Sequence, residues 1–179
     1  MKKTDSAPEK KPLAEETAQF RRIVTGHDDR GSTIFVEDQI CPNRMAVEGI
    51  PNFCRTEVWR IESMPDDNSG KYNDLAAKMI FPPTNNGSVF RILEIPPEGE
   101  TGGAPIMHRT ASTDYCYVIK GEIFAVLDSG SELLMKEGDI LIQRGTNHTW
   151  SNRSNKPCII LFVLNGAKEI PNLPTLQEI

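Results

Sequence analysis

Long apolar runs are missing from this chain. Its longest, Cys158-Ile-Ile-Leu-Phe-Val-Leu164, is strand-sized. A bilayer span needs roughly 18–20 such residues, so no membrane partner is expected. A basic excess is missing too. The 20 Lys and Arg stand against 25 Asp and Glu, for a formal charge of −5. The pairs Lys2-Lys3 and Lys10-Lys11 are interleaved with acids. A nucleic-acid or anionic-membrane surface needs a basic patch that this balance does not supply. The amino terminus has no apolar signal core, which speaks for a cytoplasmic setting. Cys41, Cys54, Cys116 and Cys158 form no C-x-x-C, which argues against a zinc knuckle. Cys116 and Cys158 lie in apolar strand patterns, where a thiol acts as a small hydrophobe. A reduced protein is the simpler expectation, with a Cys41–Cys54 bridge left open. Histidine occurs only three times, as His27, His108 and His148.

What is present reads as one β-rich domain. A length of 179 residues suffices for one sizeable core. Residues 1–18 are charged and lack aromatics, so they are expected to form a tail that cannot offset its ordering entropy. Residues 19–87 read as an N-terminal arm and strands with long loops, 88–165 as the barrel core, and 166–179 as a C-terminal tail. Short β-prone runs recur between Gly, Pro, Asn and Asp clusters: Ile23-Val24, Thr33–Val36, Glu57–Ile61, Val89–Ile95, Tyr115–Lys120 and Glu122–Leu127. The pattern continues with Glu132–Met135, Asp139–Gln143, His148–Asn152 and Cys158–Leu164. Their spacing is that of sandwiches and barrels. The expected fold class is all-β, an antiparallel double-sheet jelly-roll barrel with an N-terminal arm. Leu75–Ile80 has room for one helical turn.

Two segments carry most of the chemistry. The first is Gly103-Ala-Pro-Ile-Met-His108-Arg-Thr110-Ala-Ser-Thr-Asp114, with Gly121 seven residues on. The second is Gly138-Asp-Ile-Leu-Ile-Gln143-Arg-Gly145-Thr-Asn-His148-Thr-Trp150-Ser-Asn152. Together they resemble the paired motifs of the cupin superfamily. That family's first motif carries His-x-His, then Glu and Gly; its second carries Pro-x-Gly, then His and Asn. Here Thr110 takes the place of the second His, Asp114 that of Glu, and Gln143 that of Pro. The strings Arg21-Arg-Ile-Val-Thr-Gly-His27-Asp28 and Arg144-Gly-Thr-Asn-His-Thr-Trp150 resemble a small-cupin subgroup of bacteria and fungi.

The resemblance implies a mononuclear divalent metal on His108, Asp114 and His148. Fe, Zn, Mn and Ni all accept such a set, and sequence does not choose among them. Residues two apart on a strand share a face, so Thr110 follows His108 inward. Gln143, Asn147 and Asn152 are candidates to orient the ligands. Arg91 is a candidate clamp for a substrate carboxylate. Thr110, Trp150 and Phe162 are expected around the substrate, and His27 is a further catalytic candidate, with a turn of the arm as its alternative. The resemblance implies a small-molecule enzyme of decarboxylase, isomerase or oxygenase type, with a place in secondary metabolism. Its substrate is expected to be a small, acidic or aromatic organic molecule. Two other readings remain open: a metal-free enzyme using Asp114 and His148 as acid and base, and a non-catalytic small-ligand binder. A homodimer is expected, with residues 19–36 as the arm.

Overall fold

The structure is a computed structural model that describes residues 17–46, 50, 52–69, 74–78, 82–101, 106–171 and 173. Most of the expected tails, and Gly103 of the first motif, lie outside the described residues. Eleven strands are described: β1 (Arg21–His27), β2 (Thr33–Ile40), β3 (Arg44–Ala46), β4 (Cys54–Ile61), β5 (Ser88–Ile95), β6 (Ser112–Lys120), β7 (Glu122–Leu127), β8 (Glu132–Lys136), β9 (Ile140–Arg144), β10 (His148–Ser151) and β11 (Cys158–Gly166). A 3₁₀ turn covers Leu75–Lys78, within the stretch expected to hold one helical turn. A four-residue helix, α1, covers Glu98–Thr101. Among the described residues no helix is long and apolar enough to cross a membrane.

Every strand pairing is antiparallel. The main sheet runs β3-β4-β5-β11-β6-β9, and a three-stranded sheet runs β10-β7-β8. The apolar strand β11 sits between β5 and β6; Cys158, Ile160, Phe162 and Leu164 are buried on its core face, and Ile159, Leu161 and Val163 are partly covered on the other. The core joins the two sheets. Val89, Val118, Ile160 and Leu164 from the main sheet pack with Ile123, Ala125 and Met135 from the smaller one. Strand β6 shows why alternation matters here. Ser112, Asp114, Cys116 and Val118 are buried, while Tyr115 and Tyr117 are exposed, so polar and apolar residues share one inward face. This is the jelly-roll architecture expected from the sequence.

The arm, β1 with β2, forms its own two-stranded sheet. It is pinned by Arg22, which bonds to both oxygens of Glu37, to Val58 O at 3.0 Å and to Asp74 at 2.6 Å. Thr17 and Ala18 are already docked: Arg44 reaches Thr17 Oγ1 at 2.7 Å, and the Ala18 N–H donates to Glu94 at 2.6 Å. All four cysteines are buried free thiols, so the Cys41–Cys54 bridge does not form. The Cys41 thiol instead donates to the Glu57 carbonyl at 3.4 Å.

Candidate functional site

The site starts with an exchange of backbone hydrogen bonds between the two motifs. His108 N–H donates to His148 O at 2.8 Å, and His148 N–H donates to His108 O at 2.9 Å. That bridge brings the two imidazoles together, with ring centroids 4.2 Å apart and planes at 51°. Each Nδ1 faces a carbonyl two residues earlier: Ile106 O at 3.1 Å for His108, Thr146 O at 3.0 Å for His148. A carbonyl only accepts, so Nδ1 carries the proton and Nε2 keeps its lone pair. Burial pushes the His148 pKa down to about 4, and the neighbouring His108 adds to the shift. Burial lowers His108 as well. Both rings are neutral donors near pH 7.

Asp114 stands on the inward face of β6, 4% exposed. Its strand partner on β9 is Gln143, whose Nε2 donates to Oδ2 at 3.2 Å. Ser112 Oγ donates to Oδ1 at 2.6 Å, and the Thr110 and Ser112 hydroxyls lie 2.6 Å apart. Burial raises the Asp114 carboxyl to about 6, against the Ser112 hydrogen bond and the charge of Arg91. Each carboxylate oxygen thus has a protein donor. Among the described residues, no group of three His, Cys, Asp or Glu side chains is placed to hold a metal. The two histidines are assembled as a pair; Asp114 does not join them as a third ligand.

Arg91 faces the interior from β5, as the clamp reading requires, and pairs with Glu57 at 3.1 Å. Arg55 reaches the same Glu57 oxygen at 3.1 Å. Burial lowers Arg91 to about 10, with Glu57 opposing the shift. A bulge in β4 next to Glu57 lets Glu57 and Arg60 both face inward. Phe162 is the strand partner of Arg91. It meets Trp150 edge-on at 5.3 Å, and Trp150 meets His148 at 5.7 Å. An aromatic row therefore runs from the arginine to the histidines. His27 is exposed at the end of β1.

A cavity of about 490 Å³ reaches His148 and Gln143 from the side of β7 and β9. Ala125, Leu127, Leu141, Ile142 and Ile170 give its apolar lining, and Arg144 and Thr146 line it as well.

The comparisons with known proteins identify the family. The cupin domain family matches residues 91–164. Phomopsin biosynthesis cluster protein C′ of Diaporthe leptostromiformis is 37% identical over 157 residues, covering 83% of this chain and 79% of that protein. This chain is a cupin. A cupin-domain-containing oxidoreductase of Hypocrea virens is 30% identical over 154 residues, covering 83% of this cupin and 77% of that protein. Another, from Aspergillus ruber, is 31% identical over 154 residues, covering 83% and 73%.

The histidines of this cupin are oriented differently from the expectation. Backbone carbonyls hold their Nδ1 atoms, in place of Gln143, Asn147 and Asn152. Gln143 serves Asp114 instead. Asn152 ties the Ile95 and Lys156 carbonyls at 2.9 and 2.8 Å. Sequence reasoning missed Ser112 and Glu57. Alternation from Thr110 to Asp114 was the available signal for Ser112. Glu57 had none, because its partner Arg91 is remote in the chain.

Proposed function

We propose that this cupin is a small-molecule enzyme of secondary metabolism, and that His108 and His148 are its reactive pair. The observation that carries this reading is the pair itself: two adjacent neutral imidazoles, each with Nδ1 tied to the backbone. Such rings are proton-free nitrogen donors across the physiological range. The relatives' names, with biosynthesis clusters and oxidoreductases among them, support the setting.

A divalent cation fits this pair as two of its donors, and Fe, Mn, Ni and Zn all accept imidazole. Bound there, it would supply Lewis acidity or oxygen binding. The chain's own residues do the rest. The two carbonyls hold the rings in the donor tautomer. A pKa near 4 makes His148 a weak proton acceptor, so the proton-transfer role falls to Asp114, which titrates near 6. Ser112, Thr110 and Gln143 hold that carboxyl in place. Arg91 and Glu57 set the charge behind it, and the clamp role of Arg91 requires a substrate anion to compete with Glu57. His27 has a part only if the arm approaches the mouth.

A second reading is favoured by the hydrogen bonds on Asp114: an enzyme that works by proton transfer without a metal. Elemental analysis of the purified protein beside His148→Ala separates the two. Near-stoichiometric metal in the parent and little in the variant supports the metal form. No metal after reconstitution with Fe(II), Mn²⁺, Ni²⁺ and Zn²⁺ sinks it, and activity that survives chelator then supports the proton-transfer form.

A further inference from the structure

Arg144 opens the Arg-Gly-Thr-Asn-His string of the second motif, yet the histidine pair and Asp114 are held by other groups. It is the last residue of β9, exposed, and it lines the same cavity of about 490 Å³ as His148. That volume lies in the range of small-ligand sites, roughly 300–1,000 Å³. The lining is mixed. Leu127, Leu141 and Ile142 give apolar surface, Gln143 and Thr146 give polar groups, and Arg144 gives a cation. None of the described lining residues is an Asp or Glu.

Other arginines are matched within the protein. Arg22 faces Glu37 and Asp74, Arg91 faces Glu57, and Arg153 faces Glu132. Among the described residues no carboxylate pairs with Arg144. The clamp expected at Arg91 thus sits on a carboxylate of the chain itself, whereas the guanidinium that lines the cavity does not.

One short turn carries both Arg144 and His148 to this cavity. β9 ends at the first and β10 begins at the second. Between them Gly145 takes a φ of +58°, which glycine adopts without strain. The Thr146 carbonyl then holds His148 Nδ1 at 3.0 Å, so the residue that orients the ring also lines the cavity. A ligand that covers Arg144 strips water from its guanidinium. An alcohol or alkyl group returns little of that hydration, whereas a carboxylate replaces it with two charge-assisted hydrogen bonds. The apolar surface beside it favours a hydrocarbon body.

We propose that Arg144 is the anion clamp of this cavity, and that its ligand is a small monocarboxylate whose apolar body lies against Leu127, Leu141 and Ile142. This deepens the enzyme reading and rests on it only for the chemistry of His148 beside the bound molecule.

The test titrates hexanoate, 1-hexanol, hexylammonium and inorganic phosphate into the whole chain near pH 7. Chelator is present, so that a cation on the histidines does not hold the carboxylate. Methyl and backbone NMR shifts give affinity and place. Hexanoate should bind tighter than the other three, with shifts centred on Leu127, Leu141 and Ile142. Arg144 is exposed at a strand end, so Arg144→Gln should keep the fold. It should weaken hexanoate about tenfold and leave 1-hexanol unchanged. Arg144→Lys should restore part of the loss. The proposal is overturned if hexanoate shows no saturable binding, or if 1-hexanol or phosphate binds as tightly. It is overturned equally by shifts centred on Phe162 beside Arg91, or by an unchanged hexanoate affinity in Arg144→Gln. Binding is read without turnover. An Arg144-dependent preference for hexanoate in a protein inactive under every condition keeps this inference and discards the enzyme. An active protein without that preference does the reverse.

Discussion

Buried among hydroxyls and an amide, the Asp114 carboxyl keeps its proton up to about pH 6, against 3.8 when exposed. Between those values the folded state binds more protons than the unfolded one, so this group makes stability fall as pH rises through the window. His148 does the opposite. Its folded pKa of about 4 lies below the exposed 6.5, so the unfolded state binds more protons there and stability falls as pH drops. His108 leans the same way as His148. Each two-unit shift is worth about 3 kcal/mol. In chelator, the contributions of Asp114 and His148 should therefore largely offset each other between pH 4 and 6. Asp114→Asn should gain about 3 kcal/mol relative to the parent across the same window, because the opposing contribution of Asp114 is removed while the histidines still titrate. Urea unfolding at several pH values checks this; equal slopes in the two proteins would mean that Asp114 is not held as described.

The buried Arg22 side chain pins β1 and β2 to the body through Val58 O and Asp74. Removing Arg22 would leave Glu37 and Asp74 without their cation, so Arg22→Ala should cost about 3 kcal/mol. Hydrogen exchange should then show β1 and β2 opening ahead of the core; uniform protection would refute the pin. The end of β11 offers a second test. A Cβ at Gly166 would stand 2.1 Å from the Thr84 carbonyl oxygen, so Gly166→Ala must push two backbones apart. We expect a loss of about 2–4 kcal/mol on thermal unfolding; a change within 0.5 kcal/mol would contradict the close approach. These elements also show what could be read from the chain. Alternation marks β6, and continuous hydrophobicity marks β11. Arg44-Met-Ala46 has no strand signature and forms β3 because β4 lies beside it. The histidine pair was legible because each ring sits in a motif of fixed spacing. The link from Arg22 to Asp74 was not, since 52 residues separate the two and only the folded chain brings them together. The hold on Asp114 was half legible: Ser112 lies on the same strand within the alternation, whereas Gln143 comes from β9.

At the scale of the whole molecule, an apolar patch of the main sheet is exposed among the described residues. Tyr115 and Tyr117 on β6 and Ile142 and Ile140 on β9 are cross-strand partners, exposed by 50, 41, 53 and 71%. They flank the open edge of the main sheet, and an apolar edge of that kind is a template for another strand. We expect a second copy of this chain to cover it. Ile140→Lys should give a monomer by light scattering at micromolar concentration, where the parent is a dimer; a monomeric parent would end that expectation. The buried thiols have a different consequence. Burial raises the pKa of all four, and none can meet an alkylating reagent while its surroundings stay closed. Cys41 and Cys54 lie beside the arm and β4, whereas Cys116 and Cys158 lie in the central core. The order in which a reagent modifies them is thus a clock of opening that needs no engineered label, and it would record whether the arm lifts before the barrel melts.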